Sequence, residues 1–253
     1  MFQPFDHTFA LDGKVFIVTG GVSGIGKAIT EYFIERGAKG VIADMSPKTA
    51  DFADSLGIKG IQVDLTESGA PEKAVQFAVE QYGKLNIVVN CAGIGPLAPA
   101  ESMPEEMFDR TLAINLRATY FLAAAGARQM IRQGDGGRII NIASQAGIVA
   151  IDGHIAYSTS KAGIIGMTRV LAYEWGKYGI TVNAVSPTVI NTELSTGGDF
   201  WVGERAAEAI RNTPVGRFGE TVEVAALCNY LASDASALVT GANYVIDGGY
   251  TIH

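Results

Sequence analysis

Short apolar runs, each closed by a small or polar residue, alternate along this chain with segments of helical period. Residues 14–19 (KVFIVT) are apolar and β-branched and pass straight into Gly20-Gly21-Val22-Ser23-Gly24-Ile25-Gly26. An amphipathic segment follows over 27–36, and Gly37 is a natural helix stop. Further runs over 40–43, 60–63, 85–89, 138–143, 180–185 and 243–246 read as buried strands. Helical periodicity covers 71–82, 105–132, the stretch from Tyr157 to about residue 178, and 221–233. Residues 191–213 read as a polar, glycine-containing excursion. Strands alternating with helices predict an α/β protein, a doubly wound parallel sheet with right-handed crossovers and helices on both faces. Ligands bind such sheets at the carboxyl ends of the strands. Gly20, Asp44, Asp64, Asn90, Ser144 and Pro187 each fall just after a predicted strand, and so share that edge.

Composition narrows the class. The 253 residues contain no linker-like tract and no fixed-period repeat, so residues 1–253 are expected to form one domain, and 31 glycines suit many tight strand–helix turns. A net charge of −7 speaks against nucleic-acid or anionic-membrane partners. The first residues lack the pattern of a secretory signal, and no apolar run approaches the ~20 residues of a membrane span. Cys91 and Cys228 read as small core residues of a cytoplasmic protein, not as a disulfide. No metal-ligand cluster stands out.

The candidate chemistry lies in four places. The glycine turn after the first strand would let a pyrophosphate approach the backbone at a helix N-terminus, although an ordinary tight turn has the same look. Asp44, about 20 positions later, is placed to meet the adenosine ribose hydroxyls and to repel a 2′-phosphate, which favours NAD over NADP. Asp64 either reaches adenine or caps the helix beginning near Ser68. Asn115 sits in mid-helix among apolar neighbours, where asparagine is locally unfavourable and a role is expected. Finally, Tyr157 and Lys161 lie four apart on one helical face, after Ser144 at a strand end. A neighbouring ammonium is expected to pull the phenol down from about 10 toward working pH, making a general base for an alcohol proton. Tyr173 and Lys177 repeat the spacing but lack the strand-end serine, and Tyr173 reads as a packing or interface residue.

The ordered set Thr19-Gly20-x3-Gly24-Ile25-Gly26, Asn90-Cys91-Ala92-Gly93, Asn115, Ser144, Tyr157-x3-Lys161 and Asp247-Gly248-Gly249 resembles the short-chain dehydrogenase/reductase family from Leu11 onward. The resemblance implies a seven-stranded Rossmann sheet, an NAD(P)(H) cofactor and a homotetramer or homodimer. It makes Tyr157 the acid/base, Ser144 the group that orients the substrate oxygen, and Lys161 the partner of phenol and nicotinamide ribose. Asn115 would support a water in the proton relay. Gly20, Ser23, Gly24, Ile25, Gly26, Asp44, Asp64, Leu65, Asn90, Ala92, Gly93, Pro187, Ile190 and Thr192 would line the cofactor. Two positions depart from the family pattern. Cys91 replaces an asparagine, which would remove a sheet-stabilising hydrogen bond, and Thr188 replaces a glycine, which would tilt the nicotinamide-side loop. The segments around Ser144, residues 150–154, 186–190 and the C-terminus resemble members acting on sugar alcohols. Gln145, Asp152 and His154 would suit a polyol, while Phe200 and Trp201 could line an apolar pocket or anchor a lid. The expected activity is NAD-dependent interconversion of a secondary alcohol and its ketone. The rivals are a 3-oxoacyl-carrier-protein reductase and a non-catalytic cofactor-sensing protein.

Overall fold

A computed structural model describes residues 9–196 and 201–252; Phe200 lies outside the described residues. Seven parallel strands form one sheet in the order β3-β2-β1-β4-β5-β6-β7. In chain order the elements are β1 (Val15–Thr19), α1 (Gly24–Glu35), β2 (Lys39–Asp44), α2 (Thr49–Ser55), β3 (Lys59–Gln62), α3 (Ala70–Tyr82), β4 (Ile87–Asn90) and α4 (Glu105–Leu112). They continue with α5 (Ala118–Gln133), β5 (Gly137–Ile142), α6 (Ile155–Trp175), β6 (Ile180–Pro187), α7 (Glu193–Thr196), α8 (Gly203–Arg211), α9 (Thr221–Ala232) and β7 (Asn243–Ile246).

The central strands β1 and β4 are buried along their length and almost wholly apolar because both faces of the sheet are covered, whereas the edge strand β3 is partly exposed. Side chains alternate across the pleat. Phe16 and Val18 join Ile29 and Phe33 of α1 and Val224 and Leu231 of α9 on one side. Ile17 joins Val75 of α3, Leu122 and Met130 of α5, and Leu171 of α6 on the other. Each such side chain, fully buried, is worth about 1.5–3 kcal/mol relative to leaving it in water.

The strand order reverses between β1 and β4, and this switch point opens the crevice that matters. The two strand ends are joined there: the buried Thr19 Oγ1 accepts from the backbone N–H of both Cys91 and Ala92, at 2.9 Å each.

Three elements differ from the sequence reading. α1 begins at Gly24, inside the glycine motif, because the turn itself winds into the helix. The long helix predicted over 105–132 is interrupted by a π-helical segment at Ala113–Arg117, centred on Asn115. The excursion at 191–213 contains α7 and α8, which its polar composition did not signal. Among the described residues no helix is long and apolar enough to cross a membrane.

Candidate active site

A cavity of about 680 Å³ opens at the carboxyl edge of the sheet, lined from Gly20 in the β1 turn to Arg205 in α8. Its floor at one end is the glycine turn. Gly20 and Gly24 have φ of 65° and 52°, a left-handed backbone that favours glycine. A Cβ on Gly26 would stand 2.3 Å from the Gly20 carbonyl oxygen, so only hydrogen fits. No side chain caps α1, and its first turn carries no acidic residue. The helix therefore offers its N–H groups and positive dipole end to an anion. A pyrophosphate group fits this cradle. Above the turn, Asp44 Oδ2 accepts from Val22 N at 3.3 Å and Oδ1 from Ser46 N at 3.0 Å. Each oxygen keeps a lone pair for a ribose hydroxyl.

The other end holds the proposed chemistry. β5 delivers Ser144, whose Oγ accepts from Ala146 N at 3.1 Å as the chain enters a 3₁₀ turn over Gln145–Gly147. α6 begins two residues before Tyr157, so its first turns present Tyr157 and Lys161 to the same wall. Lys161 is 4% exposed; its Nζ lies 5.5 Å from the Tyr157 ring centroid and donates to the Ile142 carbonyl at 2.7 Å. Asn115 closes the back of the site. Its Oδ1 accepts from Ile94 N, and its Nδ2 donates to Ile94 O and to Ser160 Oγ. Both amide protons are thus used within the protein, and the side chain acts as a clamp on the loop after β4. A Cβ on Gly93 would lie 3.2 Å from Asn115 Oδ1 and 3.6 Å from Lys161 Nζ, which explains the small residue there.

The protonation balance differs from the sequence expectation. Burial pushes the Tyr157 phenol above its ordinary value, and the Ser144 hydroxyl pulls it only part of the way back. Burial also lowers the Lys161 ammonium to about 8. The i, i+4 spacing predicted proximity correctly but not the direction of the phenol's shift, because desolvation dominates both groups.

Most of the predicted residues do meet here: Gly20, Ser23, Gly24, Ile25, Gly26, Ala92, Gly93, Ser144, Gln145, His154, Tyr157, Lys161, Pro187, Ile190, Thr192 and Trp201 line one cavity. Others stand outside it. Asn90 is buried and spends its amide on Asn141 Oδ1 at 2.8 Å, tying β4 to β5. Leu65 is half-buried and packs against the core on the side of the sheet covered by α3 and α5. Asp64 lines a separate hollow with Met45, Gln62 and Lys73, where its Oδ1 accepts from Thr66 N and Oγ1. It caps no helix, since α3 starts after Gly69. Asp152 turns outward, 3.7 Å from Arg205 Nη2. His154 is buried rather than solvated; its Nδ1 lies 2.8 Å from the Asp152 carbonyl and its ring meets Tyr157 edge-on at 5.8 Å. Leu97, Ile151 and Arg205 also line the cavity. They carry no local motif and arrive only through the Ala98–His154 bridge and the placement of α8.

Both departures from the family pattern are accommodated. The Cys91 side chain packs against the core, and Thr19 secures the backbone there. Burial raises the Cys91 thiol to about 12, so it stays neutral. Thr188 has no positive φ, and its N–H donates to the Ile246 carbonyl at 3.1 Å, fastening the loop to β7.

A family model described as enoyl-(acyl carrier protein) reductase matches residues 20–251. The chain is 46% identical over 254 residues to an NAD-dependent glycerol dehydrogenase of Listeria innocua, covering 99% of each. It is 43% identical to a D-threitol dehydrogenase of Mycolicibacterium smegmatis, over 98% of this chain and 96% of that one. Its backbone matches a crystal structure of a short-chain type dehydrogenase/reductase from Mycobacterium marinum, with a TM-score of 0.90, 34% identity and coverage of 97% and 98%.

Proposed function

The chain belongs to the short-chain dehydrogenase/reductase family, and from that premise we propose that it oxidises a small polyol at a secondary carbinol, and reduces the matching ketone, with NAD. The observation that carries this reading is the convergence of Ser144, Tyr157 and Lys161 on one wall of a cavity whose far end is a glycine cradle. The names of the glycerol and threitol dehydrogenase relatives support the polyol.

In this reading Ser144 Oγ holds the substrate oxygen, and Tyr157 takes the hydroxyl proton in oxidation and returns it in reduction. Lys161, with its Nζ 5.5 Å from the Tyr157 ring centroid, supplies an ammonium that favours the phenolate form when charged. Asn115 positions the loop facing them. The glycine turn and the N-terminus of α1 would hold the pyrophosphate, and Asp44 the adenosine ribose. A bound nicotinamide supplies the hydride acceptor or donor. The chain works as a single domain, and the excursion expected at 191–213 would serve as a lid, of whose described residues Thr192, Trp201 and Arg205 line the cavity.

The same reading makes the enzyme a cytoplasmic homodimer or homotetramer. An apolar groove between α4–α5 and α6, lined by Leu112, Leu116, Tyr120, Met167 and Val170, suits a second copy, with Tyr173 91% exposed beside it. Light scattering on the purified protein tests that.

Activity is tested by following cofactor reduction on glycerol and four- to six-carbon polyols, with NAD and NADP in parallel. A β-ketoacyl thioester is the opposing substrate. Turnover of the thioester with NADPH in preference to polyols with NAD would replace this reading by the acyl-reductase one. Cofactor binding without turnover of any substrate would favour a sensor.

A further inference from the structure

The π-helical segment at Ala113–Arg117 makes contacts on two sides. On one, Asn115 holds the loop after β4 through Ile94. On the other, Arg117 Nη1 donates to the Thr66 carbonyl at 3.0 Å, a partner 51 positions away. The Arg117 guanidinium also lies over the Phe121 ring, four residues on in α5, at 4.8 Å from the centroid. That contact steadies a flat group whose donors point in fixed directions. Thr66 belongs to the turn after β3. There Asp64 Oδ1 accepts from Thr66 N at 2.9 Å and Thr66 Oγ1 at 2.7 Å, and Glu67 N donates to the Asp64 carbonyl at 3.2 Å. Val63 N donates to the Asp44 carbonyl at 2.8 Å, so the turn starts beside the residue assigned to the adenosine ribose. The same turn walls the hollow of about 500 Å³ that Met45, Gln62, Asp64 and Lys73 line. β3 is a four-residue edge strand, and Arg117 ties the turn at its end to α5.

We propose that Arg117 is a positioning residue for the adenine end of the cofactor: by holding the turn over 64–67 it keeps the hollow beside Asp44 in shape for the base. The inference rests on the NAD reading and deepens it. Adenine is carried on the ribose that Asp44 would hold, and Met45, the next residue, already lines the hollow. Arg117 acts through the Thr66 backbone and lies outside the cavity that Ser144, Tyr157 and Lys161 line. Its loss is therefore felt in cofactor binding and not in the chemical step. A charged donor on a backbone carbonyl is among the stronger hydrogen bonds of a protein surface, which gives the effect a measurable size.

The test compares wild type, Arg117→Met and Arg117→Lys. Methionine keeps an unbranched apolar stem over Phe121 and removes the donor, while lysine keeps a donor and the charge. Calorimetry gives Kd for ADP, which carries the adenosine end alone, and for NADH; kcat is taken for alcohol oxidation at saturating NAD. The expected result is a Kd about three- to tenfold higher for both ligands in Arg117→Met, closer to wild type in Arg117→Lys, with kcat not lowered in either. Unchanged ADP and NADH affinity in Arg117→Met overturns the proposal, whatever its melting temperature, and leaves the NAD reading standing. A fall in kcat as large as the loss of affinity also overturns it, because Arg117 would then be supporting the Asn115 clamp. A lysine variant as impaired as the methionine one removes the hydrogen bond as the cause and overturns it too. A wild type that binds neither ADP nor NADH ends the NAD reading and the proposal together.

Discussion

Replacing Thr19 by valine removes one hydroxyl and leaves two backbone N–H groups, those of Cys91 and Ala92, without their acceptor. Thr19 is 2% exposed, and valine keeps its shape, so packing changes little. Each orphaned buried donor costs about 1–3 kcal/mol. Both residues border the cavity, where water can partly replace the lost partner, which places the total near 2 kcal/mol. For a chain of this size that lowers the melting temperature by about 4–8 °C. The β4 end forms one lip of the cofactor crevice, so NADH affinity should fall too. Thr181 supplies the control. It is 7% exposed, but its Oγ1 has no partner among the described residues. The same Thr→Val change there should be neutral or stabilising. Urea and thermal unfolding of both variants at one protein concentration, with NADH fluorescence titration, measure these effects. A Thr19→Val loss below about 0.5 kcal/mol, or a Thr181→Val loss as large as that at Thr19, would refute the accounting.

A Gly26→Ala chain must push its new Cβ away from the Gly20 carbonyl, and its NADH affinity should drop at least about tenfold in a binding titration. Asp44→Ala should shift the ratio of NADP to NAD turnover upward, and an unchanged ratio would remove Asp44 from cofactor choice. Alcohol oxidation should rise with pH and ketone reduction fall, because the raised Tyr157 phenol must be unprotonated for the first and protonated for the second. Lys161 titrates near 8 when folded and near 10.5 when exposed, so the unfolded chain binds the extra proton in that window and stability should rise with pH across it. Lys161→Met should remove that rise, at most about 3 kcal/mol, in pH-dependent urea titrations of the free protein.

The sheet was readable because a parallel strand buried on both faces is rich in apolar, β-branched residues, as at Val15–Thr19 and Ile87–Asn90. The site edge followed from topology, since the residues after each strand have to gather there. Other features depend on contacts that no local pattern encodes. The π-helical segment at Ala113–Arg117 accompanies the clamp of Asn115 on Ile94, a partner 21 positions away. Asn90 looked like a cofactor ligand from its place at a strand end, but its amide faces Asn141 on the next strand. The Tyr157–Lys161 spacing disclosed the pair and hid its electrostatics, because burial is a property of the packed molecule. Arg205 reaches the cavity from a helix that the polar excursion gave no reason to expect.

The central claim is that the Tyr157 hydroxyl carries the substrate proton. Tyr157→Phe removes that one atom and leaves the ring against His154 and Lys161. The decisive measurement is kcat for polyol oxidation in this variant beside its Kd for NADH. A fall in kcat of at least about a hundredfold with Kd within a few-fold of wild type is the predicted result; wild-type turnover in the variant would contradict the account.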